Sequence, residues 1–347
     1  MARKVRTAPT LKSVSICWFL RGWRAFLVSI RTSWCGLEAI SPCFILVRKR
    51  STSSPGGNVE RTSFLALLKP RSWSRPARFS LITAITIAAL VFLFLAPRVP
   101  IGPGYHAFAD KRTFFGIPNA QDVLSNIPFF LVGIWGFLWL SAKKGQSVFL
   151  DDRERIPYLV FFAGVTLTGV GSFWYHVAPS DDRLPWDLLP MTCSFVSMVV
   201  VTFMERVNLR AGFFALVPAL LLGILSVVYW MITTSLGNGD YKFYLFVQFF
   251  SPVLLALIIG LFRPRYSGIG YLVIAFGFYV AAKIFEEFDY SIYRHLGGLV
   301  SGHSLKHVTA AIACYWIFKM LQSRHPLNGE STSDDHRLPD ARKAVSQ

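Results

Sequence analysis

Charge is scarce in this 347-residue chain: Asp, Glu, Lys and Arg make up 16% of it, against about 25% in an ordinary soluble domain. Acids are scarcer still, at 19. That shortage argues against a soluble globule, a charge-rich disordered chain and a coiled coil. Cysteine is also sparse. There are five, with no CxxC among them, which excludes a disulfide scaffold. Cys17, Cys35 and Cys43 lie in the N-terminal region and Cys193 and Cys314 within apolar stretches, and all five read as buried, inert thiols.

What is abundant is apolar surface. Hydrophobic residues reach 53%, with 31 Phe and 10 Trp. Aromatic side chains in such numbers suit lipid-facing helices with rings at the interfaces. The formal charge of +17 raises the question of nucleic acid. Its distribution answers no: residues 1–78 hold 15 Lys and Arg against only Glu38 and Glu60, so most of the excess sits ahead of the first apolar run. A basic segment in that place serves topology or anionic lipid. Residues 1–78 read as a basic extension, disordered or targeting, with a flexible break at 51–58.

Eight apolar runs follow, at 79–97, 126–142, 156–176, 184–204, 211–232, 244–262, 269–288 and 299–321. Each is long enough for a helix to cross roughly 30 Å of hydrocarbon. None alternates with period two, so helices are expected rather than barrel strands. The predicted fold is therefore all-α, a polytopic transmembrane helix bundle. A polar tail at 322–347 is expected to be disordered. Lys143, Lys144, Arg153, Arg155, Arg206, Arg210, Arg263 and Arg265 follow even-numbered runs, and Lys319 and Arg324 flank the end of the last. The opposite loops carry fewer cations, namely Arg98, Lys111, Arg112, Arg183, Lys242 and Arg294. The bias predicts both termini in the cytoplasm.

Ionisable groups at membrane depth cost at least about 2.5 kcal/mol each at a helix centre, so those present need a reason. Three clusters stand out: "GSFWYH" with Ser172 and His176, "RLPWDLLPM" with Asp187, and "SGHSLKH" with His303 and His307. Ser172 and His176 are four apart, as are His303 and His307, so each pair shares a helix face. An HxxxH pair alone is a weak sign, because two histidines one turn apart are common on helix faces. Here the topology puts all three clusters on one membrane face. Three neutral imidazoles around Zn²⁺ leave a fourth position for water, the arrangement of a catalytic zinc. His106 and His295 are read as loop residues near the outer mouth, His325 and His336 as solvated. Glu286, Glu287 and Asp289 are read as an interfacial ion network with Lys283 as partner. Headgroup contact, or a link behind His303 or His307, is the alternative.

Ser-x3-His, an Asp eleven residues after that His, and a C-terminal His-x3-His together resemble the alkaline ceramidase family of the CREST superfamily of seven-helix membrane hydrolases. "DLLPM" after the Asp and "DVLSNIPF" at the second run add to the likeness. The resemblance covers residues 105–321, a ceramidase-like seven-helix domain, and leaves 79–97 as one extra N-terminal span. It implies zinc held by His176, His303 and His307, with Ser172 and Asp187 completing the active site. It also implies a calcium site, whose nearest positions are Asp110, Asn119 and Asp122. Lys111 and Arg112 stand where an acidic loop is wanted, so capping or ion pairing is the alternative for Asp110 and Asp122.

The chemistry expected is metal-assisted hydrolysis of an amphiphile, and the resemblance names a ceramide-like sphingolipid drawn from the bilayer. Zinc lowers the pKa of water towards ~7 and polarises a carbonyl. Asp187 would move the proton, and Ser172 would donate to the developing oxyanion. Two rival classes share parts of the pattern. One is a lipid-sensing receptor of the adiponectin/progestin-receptor type, the other a proton-coupled transporter using the buried His and Asp as a relay.

Overall fold

The structure is a computed structural model that describes residues 73–102 and 104–327. Most of the basic extension, with Cys17, Cys35 and Cys43, and the tail beyond Leu327 lie outside the described residues. The described chain is helical, with two isolated bridges and no strand.

Helix α1 is Arg75–Leu95. It opens on Ser74, whose hydroxyl accepts from Ala77 N, and on Pro76 in its first turn, where the missing N–H costs nothing. A short α2, Ala120–Leu124, precedes α3, Ile127–Ser141. After α4, Lys143–Gln146, come α5, Arg155–Val177, α6, Leu184–Arg206, and α7, Leu209–Ser235. Then follow α8, Lys242–Leu261, α9, Ile269–Glu287, the short α10, Asp289–His295, and α11, Gly302–Ser323. The expected runs are all present as helices.

Seven spans, α1, α2 with α3, and α5 to α9, are long and apolar enough to cross a membrane. The 22-residue α11 has the length as well. Its first turns are polar, with His303, Ser304, Lys306 and His307, and are mostly buried by protein instead. The described chain is thus a multi-pass helical bundle with seven spans, α1 among them, and with α11 packed into its core.

One boundary differs from expectation. The run at 126–142 is preceded by α2, and the chain breaks between the two at Ser125 and Asn126. Pro128 explains the break, because it has no N–H to give the carbonyl of Leu124, four residues back. The Asn126 amide donates instead to the carbonyl of Asp122, at 2.7 Å.

The core lies among α3, α5, α6 and α11, where Leu140, Phe162, Val201 and Phe318 are fully enclosed. Helix α1 is peripheral. It leans on α8 through Phe94 and Phe243, ring centroids 5.8 Å apart, and Phe79 reaches Phe262 at 5.3 Å. At the end where α5 begins and α11 finishes, Arg324 pairs with Glu205 at 2.5 Å and stacks between Tyr266 and Phe149. Glu154 there binds Arg265 and the Tyr266 hydroxyl. This ionic knot fastens α5, α6 and α11 at the end away from the histidines.

Candidate metal centre

Three helix ends meet at the other pole: the last turn of α5, the first turn of α6 and the first turns of α11. Close backbone approach brings them there. A Cβ on Gly171 would strike the carbonyl of Trp186, with Asp187 N only 3.3 Å away. One on Gly302 would lie 2.7 Å from the Asp289 Cα. Glycine at these two places lets α5 approach α6, and α11 approach the end of α9.

The result is that His176, His303 and His307 converge. All three are buried, and one ring nitrogen from each lies within 4.8 Å of the others. His176 Nε2 and His303 Nε2 are 3.2 Å apart. Among the described residues this is the one group of three or more His, Cys, Asp or Glu whose ligand atoms come together so.

The tautomer of His307 follows from its neighbours. Ser125 donates its hydroxyl to the carbonyl of Asp122 at 3.0 Å, and its Oγ lies 2.8 Å from His307 Nδ1. With its proton spent on Asp122, Ser125 accepts from Nδ1–H. The lone pair of His307 is then on Nε2, which is buried and meets no protein donor. A buried acceptor without a donor is costly, and a metal ion satisfies it. The donor set of three imidazoles, one with an orphaned Nε2, therefore fits a divalent transition metal.

Ser172 lies one turn before His176 and is buried. Its hydroxyl is beside the Asp187 carboxylate, and no hydrogen bond of ordinary geometry engages it. Asp187 is buried on the first turn of α6, with Lys306 the foremost charge acting on it. Sequence reading thus anticipates five side chains that the fold gathers at one end.

The three calcium candidates make other contacts. Asp110 is enclosed and binds Arg112 Nε at 2.7 Å, the ion pair weighed as its alternative. Asp122 lies within 2.9 and 2.7 Å of the hydroxyls of Ser301 and Ser304, at the start of α11. Asn119 donates its amide to the carbonyl of His176 at 2.9 Å. These contacts brace the chain segments that carry the histidines. Among the described residues, Asp110 and Asp122 belong to no group of three or more His, Cys, Asp or Glu whose ligand atoms lie together as those of the histidines do.

Phe108, Tyr175 and Lys306 were not singled out beforehand. Phe108 covers the site, its ring 4.3 Å from that of His303 and 4.7 Å from that of His176. The loop carrying it is strapped down by Asp289, which accepts from Ala109 N with Oδ2 and from His303 N with Oδ1. In the acidic cluster Glu286 pairs with Lys283 at 2.6 Å, as the ion-network reading expects, and Asp289 holds the backbone of His303 rather than its ring. His106 is fixed between the Tyr175 hydroxyl, at 2.8 Å, and Asp181, at 2.9 Å. Beside it, burial pushes the Tyr105 phenol above its usual range, so Tyr105 stays a neutral partner of Tyr241 at 3.0 Å. Lys306, inside the quoted "SGHSLKH", reaches His303 Nε2 at 3.3 Å.

Comparison with protein-family models, with curated proteins and with solved structures finds no match to this chain.

Proposed function

We propose that the chain is a zinc-dependent integral membrane amidohydrolase, cleaving the N-acyl amide bond of ceramide-like sphingolipids to a fatty acid and a long-chain base. The observation that carries this reading is the convergence of three buried histidines with Ser172 and Asp187 at one end of an apolar bundle. The motif likeness to alkaline ceramidases supplies the substrate name.

His176, His303 and His307 would hold the zinc. When bound, it supplies Lewis acidity, activating water and polarising a carbonyl. The rest falls to the chain. Asp187 accepts the proton of the attacking water on its carboxylate and returns it to the leaving amide nitrogen. The Ser172 hydroxyl, one helical turn from His176, donates to the carbonyl oxygen as negative charge builds there, a contribution of roughly 2.7–4 kcal/mol for a well-aimed donor. Phe108 and the enclosed aromatic rings around Tyr175 and Leu188 exclude bulk water from that end. The lipid-facing walls give acyl chains an apolar surround.

The charge bias puts both termini in the cytoplasm and the histidine end on the opposite side. Purified protein should hold one zinc per chain and release fatty acid from a short-chain ceramide, and His303→Ala should lose both. Zinc-free wild-type protein with full turnover would refute the reading.

A further inference from the structure

The end of the bundle away from the histidines holds a cavity, with about 410 Å³ of free space including its open mouth. Arg206, Arg265, Arg324 and Ser267 line it, together with Glu205 and Ile269. Arg206 is half-buried and spends Nη1 on the carbonyls of Ile259 and Phe262, at 3.4 and 3.0 Å. No carboxylate among the described residues pairs with it, because Glu205 is taken by Arg324 and Glu154 by Arg265. The Arg324 side chain is only 1% exposed. Its Nε and Nη2 meet no acceptor among the described residues. These two nitrogens form one edge of the guanidinium, and such an edge takes an oxyanion through two parallel hydrogen bonds. The rings of Tyr266 and Phe149, 4.1 and 4.5 Å from the guanidinium carbon, fix its plane.

Helix α9 starts at the same cavity, and no side chain caps that start. Its first residue boundary, Gly268, abuts Arg324: a Cβ there would lie 3.9 Å from the arginine Cβ. Uncapped N–H groups at a helix start favour an anion. Three arginines against Glu154 and Glu205 leave one positive charge. The start of α9 adds about half a charge, and the ends of α6 and α11 remove about half each. The balance stays positive. Asp151 and Arg153, next outward, cancel in their own pair at 2.7 Å. His325, 3.0 Å from Ser267 Oγ, adds to the balance only when protonated.

We propose that this cavity binds a phosphate group, carried by a phospholipid headgroup or free in solution, between Arg206, Arg265 and the start of α9, with Arg324 as its buried partner. The proposal rests on neither the metal nor the hydrolase reading. The test is the thermal unfolding midpoint of full-length protein in a neutral detergent, titrated to an apparent Kd. One arm compares sodium phosphate with sodium chloride at equal ionic strength. The other compares dioctanoyl phosphatidic acid with dioctanoylglycerol. A saturable rise with inorganic phosphate upholds the site as one for free phosphate, and a rise with the phosphatidic acid alone upholds it as a headgroup site. Arg206→Gln and Arg265→Gln should each weaken the binding at least tenfold. Arg210→Gln, which removes an exposed cation at the same end, should change it less than twofold. If Arg206→Gln does not fold, the change at Arg265, 42% exposed at the rim, carries the comparison. No saturable rise in either arm, a rise that survives the loss of Arg265, or an equal loss in Arg210→Gln overturns the proposal.

Discussion

Ser125 Oγ lies 2.8 Å from His307 Nδ1, and because the serine proton is directed at the carbonyl of Asp122, this contact fixes the imidazole lone pair on Nε2. Partners of this kind behind a ligand histidine are worth about 10–100-fold in metal affinity. Ser125→Ala should therefore fold normally and weaken zinc binding by about that factor, read by competition with a chelator. Unchanged zinc affinity would show that the ring is oriented by packing alone.

Asp187 and Ser172 should separate from the histidines by metal content. Three neutral imidazoles hold zinc without a carboxylate. Asp187→Asn should keep its zinc and lose about 10²-fold or more in hydrolysis of a short-chain ceramide. Ser172→Ala should keep zinc and lose roughly 10²–10³-fold. Loss of zinc from Asp187→Asn as complete as from His303→Ala would make the carboxylate a ligand or an essential clamp.

Gly171 sets the approach of α5 to α6. Gly171→Ala places a methyl against the Trp186 carbonyl, and overpacking of this sort costs about 1–3 kcal/mol. A lower unfolding midpoint in detergent is expected, with turnover reduced because Ser172 and Asp187 are moved apart. Gly277→Ala on α9 is the control, since its Cβ meets nothing within 4 Å. It should be neutral or slightly stabilising. Equal midpoints for the two variants would remove the close-packing argument.

Topology is open to chemical labelling. In a background with the five native cysteines replaced, Asp182→Cys, exposed after α5, should react with an impermeant reagent from outside intact cells. Ser147→Cys, exposed after α4, should react only after lysis. The reverse pattern would put the histidine end on the cytoplasmic side and leave the metal chemistry untouched.

The helices were legible because hydrocarbon thickness dictates run length, and each long helix matches its apolar run to within a few residues. The histidine pair was legible because a four-residue interval is a property of any helix. The break at Ser125 was not: Pro128 sits where a helix start tolerates proline, so "SNIPF" reads as one continuous opening. Asn119 is a calcium candidate only through the resemblance. Its amide donates to the His176 carbonyl, 57 residues away in sequence, which no local pattern encodes. Lys306 was visible at three residues from His303, a spacing that shares the helix face, but only its tertiary neighbour Glu286 shows which way the ammonium turns.

The most direct test of the zinc amidohydrolase account is fatty-acid release from a short-chain ceramide by the purified full-length protein, measured before metal removal, after it, and after zinc is restored. The account predicts release that stops on stripping, returns with zinc, and is absent from His307→Ala throughout. Release that persists in the stripped protein, or no release from fully zinc-loaded wild type, would contradict it.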